Sequence, residues 1–147
     1  MATAISGGTP KHLWVVGIVS LLWNGFGAFD YAMTEIGNAA YLESMGFGPD
    51  EIAYFTSFPA WAVALWAIGV WGSVAASVLL LLRSRHAPNV FLLSIAGAVA
   101  SFVYQYSADK PASLESGAPA VMPVVILILI AAQWYYAQRM AAAGVLR

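Results

Sequence analysis

The chain has 147 residues, of which 61% are hydrophobic and only 9% are charged. A soluble domain carries roughly 25% charged residues, so this composition predicts a protein that is solvated by lipid. The formal net charge is −1, which leaves no basic surface for nucleic acid. Cysteine is absent, which excludes disulfides and cysteine metal sites. We therefore expect neither a metal nor a cofactor.

The first predicted element is a membrane span at about residues 12–34. Its apolar run reaches the roughly 20 residues that a helix needs to cross the hydrocarbon core of a bilayer. Asp30 is the only acid in any predicted span, and it lies about 28 Å from Lys11 along a helix axis. We therefore expect Asp30 near the outer interface. Asn24 lies deeper, where we expect it to form hydrogen bonds between helices.

A polar loop follows at residues 35–58. Its segment GPDEIAYFTSF places two acids directly after Pro49, which is typical of the N-terminus of a helix. Ile52 and Phe55 then fall on one face of that helix. The pattern predicts a short amphipathic helix that lies on the outer surface of the membrane.

Three further apolar runs predict spans at about residues 59–82, 89–106 and 120–138. Each of the first three spans has a stripe of small and polar residues, and such stripes face one another in membranes because close approach and hydrogen bonds drive packing there. The stripes comprise Gly17, Ser20, Asn24, Gly27, Tyr31 and Thr34 in span one, Ala62, Trp66, Gly69, Ser73, Ala76 and Ser77 in span two, and Ser94, Gly97, Ser101, Tyr104 and Gln105 in span three. In span four, we expect Gln133 to have a packing or interfacial role. The sequence thus predicts an all-α fold, a single membrane domain over residues 1–147 that forms a four-helix transmembrane bundle.

The distribution of charge predicts the orientation of the bundle. Basic residues lie before span one, between spans two and three, and after span four, at Lys11, Arg83, Arg85, Arg139 and Arg147. The other two loops contain every acid except Asp30, and a single cation. Cytoplasmic loops are enriched in Lys and Arg, so we expect both termini on the cytoplasmic side.

The level of Asp30 defines a candidate ligand site. The third span runs outward, so Tyr104 and Gln105 reach the same level, and we expect the Asp30 carboxylate to face them. Two roles stay open for Asp30: a structural hydrogen bond within the bundle, and a ligand or proton site. The candidate ligand-binding residues are Asn24, Asp30, Tyr31, Thr34, Trp61, Tyr104 and Gln105. The sequence has no catalytic motif, so we do not expect an enzyme.

The segments LLWNGFGAFDYAMT, FPAWAVALWAIGVWGSVAASVLLLLRSR and MAAAGVLR resemble a family of small four-span bacterial membrane proteins. The resemblance covers nearly the whole chain. Members are mostly uncharacterised, and some are loosely labelled as sugar transporters. The resemblance implies the four-span fold and a location in the bacterial inner (cytoplasmic) membrane. It implies no catalytic or binding residue.

Two classes of function follow from these features. The first is a non-enzymatic membrane module, either an accessory subunit of a larger membrane complex or a protein that binds a small ligand or lipid. The second is a transporter of a small solute such as a sugar, with Asp30 in its site. One chain of 147 residues is short for alternating access, so the transporter hypothesis requires a homo-oligomer. The expected partners are the lipid bilayer and a solute or lipid, with no nucleic acid.

Overall fold

A computed structural model describes residues 8–147, which contain helices and no strand. The first seven residues, which belong to the predicted domain, lie outside the described residues. The helices are α1 (Lys11–Glu35), α2 (Ala39–Ser44), α3 (Pro49–Thr56), α4 (Ala60–Leu81), α5 (Ala87–Ser107) and α6 (Gly117–Ala142), with a 3-10 turn at Ala112–Leu114. Four of them, α1, α4, α5 and α6, are long and apolar enough to cross a membrane. The predicted all-helical fold with four apolar helices is confirmed to this extent.

The loop after α1 contains two short helices where the sequence pattern predicts one. The helix expected after Pro49 is α3, and its first turn is stabilised by the Gly48 N–H, which donates to Glu51 Oε2 at 2.9 Å. The additional helix α2 begins after Asn38, whose side-chain oxygen accepts the Tyr41 N–H at 3.0 Å. Such N-caps satisfy backbone donors that have no partner within the helix. Together α2 and α3 cover one end of the bundle, which we call the loop end.

The four long helices are arranged in the order α1, α4, α5, α6. Helix α4 packs against α1 on one side and most extensively against α5 on the other, and α6 packs against α5. Helices α1 and α6 meet mainly through long side chains, at His12 with Tyr136 and at Asn24 with Gln133. One side of the bundle is therefore less closely packed than the others.

The backbones of α4 and α5 approach each other very closely. The Ser94 hydroxyl donates to the Gly69 carbonyl at 2.5 Å. A Cβ atom added at Gly97 would lie 2.8 Å from the Gly69 nitrogen and 2.7 Å from the side chain of Ile68. The small residues of the predicted stripes thus lie in the helix contacts: Gly17, Ser20, Asn24, Thr34, Ala62, Gly69, Ser73, Ala76, Ser77, Ser94, Gly97 and Ser101 are all buried. The packing role predicted for these residues is confirmed, whereas Gly27 of the first stripe is only half-buried, and a Cβ added there would meet nothing within 4 Å.

The end opposite the loop end, which we call the terminal end, is closed by the C-terminal segment. The Arg147 N–H donates to the Arg83 carbonyl at 2.7 Å, and the Arg85 N–H donates to the Arg147 carbonyl at 3.0 Å. These bonds draw Leu146 into the core, where it is 5% exposed. The basic residues between α4 and α5 and those after α6 consequently lie at the same end.

The close contact between α4 and α5 makes Gly97 sensitive to any added side chain. We predict that Gly97→Ala lowers the free energy of unfolding in detergent by about 1–3 kcal/mol, because the new methyl group meets backbone that cannot move freely. Gly25→Ala is the matched control, since a Cβ there meets nothing within 4 Å. It should unfold no more easily than the wild type, because alanine favours the helix by about 1 kcal/mol over glycine. Equal effects of the two substitutions would contradict the close approach of α4 and α5 at Gly97.

Candidate functional site

The residues predicted as one ligand site are divided among three places in the structure. Asn24 lies near the middle of α1 and is buried. Asp30 and Thr34 lie about two and about three turns further on, and the hydroxyl of Thr34, which is also buried, donates to the Asp30 carbonyl at 2.8 Å. Tyr31, Trp61, Tyr104 and Gln105 belong to the loop end of the bundle. These side chains therefore do not share one pocket within residues 8–147.

Asn24 is the centre of a buried polar cluster that joins three helices. Its Nδ2 donates to Ser77 Oγ of α4 at 2.9 Å and to Gln133 Oε1 of α6 at 2.8 Å, with a longer contact of 3.3 Å to the Ser73 carbonyl. The Ser77 hydroxyl itself donates to the Ser73 carbonyl at 2.8 Å. The predicted interhelical role of Asn24 is thus confirmed.

Gln133 has a more central position than its place in the sequence indicates. It is 8% exposed and accepts the hydrogen bond from Asn24, which agrees with the packing alternative of its predicted role. Helix α6 continues to Ala142, beyond the predicted end at residue 138, and this places Gln133 deeper in the bundle. An amide between apolar neighbours in the segment ILIAAQW is the sequence signal that could have identified it.

A groove of about 500 Å³ lies beside this cluster, between α1 and α6. Its walls are mostly apolar, and two of the residues in it are aromatic. The lining residues are Val15, Val16, Val19, Ser20, Trp23, Leu129, Ala132, Gln133 and Tyr136. At the end of the groove that is nearest the terminal end of the bundle, the Tyr136 hydroxyl lies 2.5 Å from His12 Nδ1. The groove exists because α1 and α6 are held by side chains rather than by close contact of their backbones.

Asp30 has a different partner from the one predicted. Its carboxylate accepts the Tyr41 hydroxyl of α2 at 2.7 Å, and within residues 8–147 it has no hydrogen bond to Tyr104 or Gln105. The prediction failed because α1 packs against α4 and α5 packs on the other side of α4, which puts the third span diagonally across the bundle. Burial, together with the hydrogen bond to Asp30 and the charge of Asp30, raises the pKa of Tyr41 to about 12.

The remaining candidates take part in an aromatic cluster at the loop end. Tyr31 packs edge-on against Trp66 at 5.0 Å, and Tyr104 packs edge-on against Phe58 at 5.3 Å and Trp61 at 5.0 Å. Gln105 is engaged in the same region, since its side chain donates to Ser101 Oγ and its carbonyl accepts the Tyr54 hydroxyl. Aromatic pairs of this geometry stabilise packing, and Tyr54 joins α3 to the same region through its hydrogen bond to the Gln105 carbonyl.

A polar contact attaches the loop between α5 and α6 to α3 at the loop end of the bundle. The Ser113 hydroxyl donates to the Glu51 carboxylate, and this hydrogen bond lowers the pKa of Glu51 below its usual value. The carboxylate of Glu51 therefore has a partner on each side, because it also accepts the Gly48 N–H. Its role is to order the loops.

Comparisons of the chain with family models, with curated proteins and with solved structures return no match. In residues 8–147, no group of three or more His, Cys, Asp or Glu side chains is placed to bind a metal ion. The groove between α1 and α6, with the amide of Gln133 in its wall, is the candidate site that adjoins the buried polar cluster in residues 8–147.

The hydrogen bond between Asp30 and Tyr41 predicts a graded response to substitution. Asp30→Ala and Tyr41→Phe should each lower the free energy of unfolding by about 1 kcal/mol. Asp30→Asn should lower it less, because the amide oxygen still accepts the tyrosine hydroxyl. Tyr135→Phe is the control, since that side chain is 60% exposed, and it should be neutral. Thermal unfolding in detergent measures all four variants.

The same pair predicts a pH dependence at high pH. The folded protein binds the Tyr41 proton more tightly than the unfolded chain, so the pair contributes its full stability below pH 10 and loses it as the pH rises towards 12. In Asp30→Asn the pKa of Tyr41 should fall but stay above 10, because burial is the largest cause of the shift. NMR titration of labelled tyrosine measures both values. An identical pKa of Tyr41 in the wild type and in Asp30→Asn would contradict the hydrogen bond between Asp30 and Tyr41.

Proposed function

We propose that the chain is a non-enzymatic, multi-pass protein of a bacterial inner membrane that binds a lipid-soluble small molecule in the groove between α1 and α6. Membrane insertion is supported by four helices of sufficient length and apolarity. It is further supported by large apolar side chains on the sides of the bundle, such as Leu22, Val103 and Ile128, which are 71%, 63% and 62% exposed. In water such a surface would be unfavourable.

The orientation follows from the two ends of the bundle. Arg83, Arg85 and Arg147 come together at the terminal end through the backbone bonds of the C-terminal segment. The acids Glu43, Asp50 and others of the two loops lie at the loop end. By the enrichment of Lys and Arg in cytoplasmic segments, the terminal end faces the cytoplasm in this proposal.

The groove is the observation that carries the binding function. Its volume of about 500 Å³ is within the range of roughly 300–1,000 Å³ that is usual for small-molecule sites. Its lining combines apolar walls with few polar groups, among which Gln133 is buried and held by Asn24. Binding sites of this kind use a small number of fixed polar groups to orient an apolar ligand.

The same contacts favour binding over transport. The transporter hypothesis depends on Asp30, and its carboxylate already accepts a hydrogen bond from the Tyr41 hydroxyl. Buried Ala28 lies between the level of Asp30 and the level of Asn24 in α1, so the two polar places are separated by packed residues. A binding module can also serve as the accessory subunit of a larger membrane complex, because the groove is formed within one chain.

The test is to fill the groove and measure what the protein retains. We predict that wild-type protein purified from native membranes in mild detergent carries a lipid-soluble molecule, and that Ala132→Trp loses it because the indole occupies the groove. Ala131→Trp is the matched control, since Ala131 is also exposed on α6 but does not line the groove. Native mass spectrometry of the three proteins measures the retained mass. The same retained mass in Ala132→Trp, with its melting temperature unchanged, would contradict the proposed function.

A further inference from the structure

Two polar groups in the groove have no hydrogen-bond partner among residues 8–147. One is the Ser20 hydroxyl of α1 and the other is the Nε2 amide of Gln133 in α6, and both residues line the groove. Their side chains are well buried, at 4% exposure for Ser20 and 8% for Gln133. By contrast, the hydroxyls of Ser73 and Ser77 donate to backbone carbonyls of their own helix at 2.7 and 2.8 Å.

The orientation of the Gln133 amide is fixed by its neighbour. The other partners of Asn24 Nδ2 are the Ser73 carbonyl and the Ser77 hydroxyl, and this hydroxyl donates its own proton to the same carbonyl. Both partners therefore accept, so the Asn24 atom that faces them is the donor nitrogen. Gln133 therefore presents Oε1 to Asn24, and its Nε2 donors are left for the groove. Ser20 lies one helical turn from Asn24, on the same face of α1, so both free groups are near one level of the groove.

Phospholipid acyl chains do not satisfy these two groups, because a hydrocarbon chain has no acceptor. Donors that face an apolar groove without an acceptor are unfavourable, so the groove is suited to a ligand that places an oxygen between Ser20 and Gln133. A carbonyl oxygen has two lone pairs and accepts from both donors at once. The aromatic rings of Trp23 and Tyr136 line the same groove and provide flat walls for a planar ligand.

We infer that the groove binds a planar, lipid-soluble carbonyl compound of the quinone class, whose carbonyl oxygen accepts hydrogen bonds from Gln133 Nε2 and the Ser20 hydroxyl. The inference rests on the proposed function, since it names the ligand class of the same groove. The apolar tail of such a ligand lies along Val15, Val19 and Leu129 and extends into the bilayer. No covalent or redox step is part of the inference.

The experiment compares two probes that differ in their oxygen atoms. Purified full-length protein in detergent is titrated with decylubiquinone and with decylbenzene, which has a tail of the same length and no oxygen. We expect decylubiquinone to raise the melting temperature and to appear as a one-to-one complex in native mass spectra. Decylbenzene should bind at least tenfold more weakly, because it cannot accept a hydrogen bond.

Two serine variants separate binding from folding. Ser20→Ala removes a hydroxyl that has no partner in residues 8–147, so it should fold like the wild type and bind decylubiquinone about tenfold more weakly. Ser101→Ala is the control, because Ser101 is also buried, in α5, but does not line the groove, and it should bind the quinone normally. Gln133→Leu, if it folds, should also weaken binding about tenfold.

The outcomes distinguish this inference from the proposed function. Equal binding of the two probes, or unchanged quinone binding in Ser20→Ala, would overturn the inference. If the wild type then still retained a lipid that Ala132→Trp loses, the proposed function would stand. If the groove-filling variant also retained that lipid, both would fall.

Discussion

The contact between the middle of α1 and α6 depends on the hydrogen bonds of one side chain, Asn24. Its amide nitrogen is shared between α4 and α6 through Ser77 and Gln133, in a part of the bundle where the other interior side chains are small or apolar. A buried polar group without partners is unfavourable in any apolar surrounding, so Asn24 selects an arrangement in which both neighbouring helices offer acceptors. This requirement acts together with the packing of α6 against α5, and both contribute to the position of α6 relative to α1.

The two sides of the bundle are consequently held by different forces. Between α4 and α5, glycines allow backbone contact, and dispersion over closely packed atoms provides the stability. Between α1 and α6, the side chains Asn24 with Gln133 and His12 with Tyr136 span the space. These long side chains join the two helices and also keep their backbones apart. The groove is therefore a consequence of polar contacts on this side, and the Gln133 donor that faces it arises from the same network.

Much of the fold could be predicted from the sequence, because the predicted features are local. Apolar length predicts the four long helices, and helical spacing places Gly69, Ser73 and Ser94 on the buried faces. The partner of Asp30 could not be predicted in this way. Helical periodicity shows which face of a helix is buried, but it does not show which helices are neighbours, and α1 and α5 are diagonal. The true partner, Tyr41, lies in α2, a short helix that is capped by Asn38.

The candidate site could be predicted only in part for a related reason. The depth of Asn24 predicts a hydrogen bond between helices, and the structure contains it. The interfacial alternative for Gln133 depends instead on the predicted end of span four at residue 138, whereas α6 continues to Ala142. The importance of Ser20 could not be read from its position, since a serine on a buried stripe usually donates to its own backbone. Only its missing partner distinguishes it from Ser73, and a partner is a property of the folded chain.

The most direct test of the role of Asn24 is a double-mutant cycle with Gln133. Asn24→Val, Gln133→Leu and the double variant are unfolded in detergent, and the coupling energy is obtained from the four free energies of unfolding. We predict a favourable coupling of about 0.6 kcal/mol or more, since hydrogen bonds between membrane helices average about 0.6 kcal/mol and reach about 1.7 kcal/mol in such cycles. A parallel cycle of Asn24→Val with Ser94→Ala should give additive effects, because Ser94 bonds to Gly69 instead. Additive effects of Asn24→Val and Gln133→Leu would contradict the claim that this hydrogen bond joins α1 to α6.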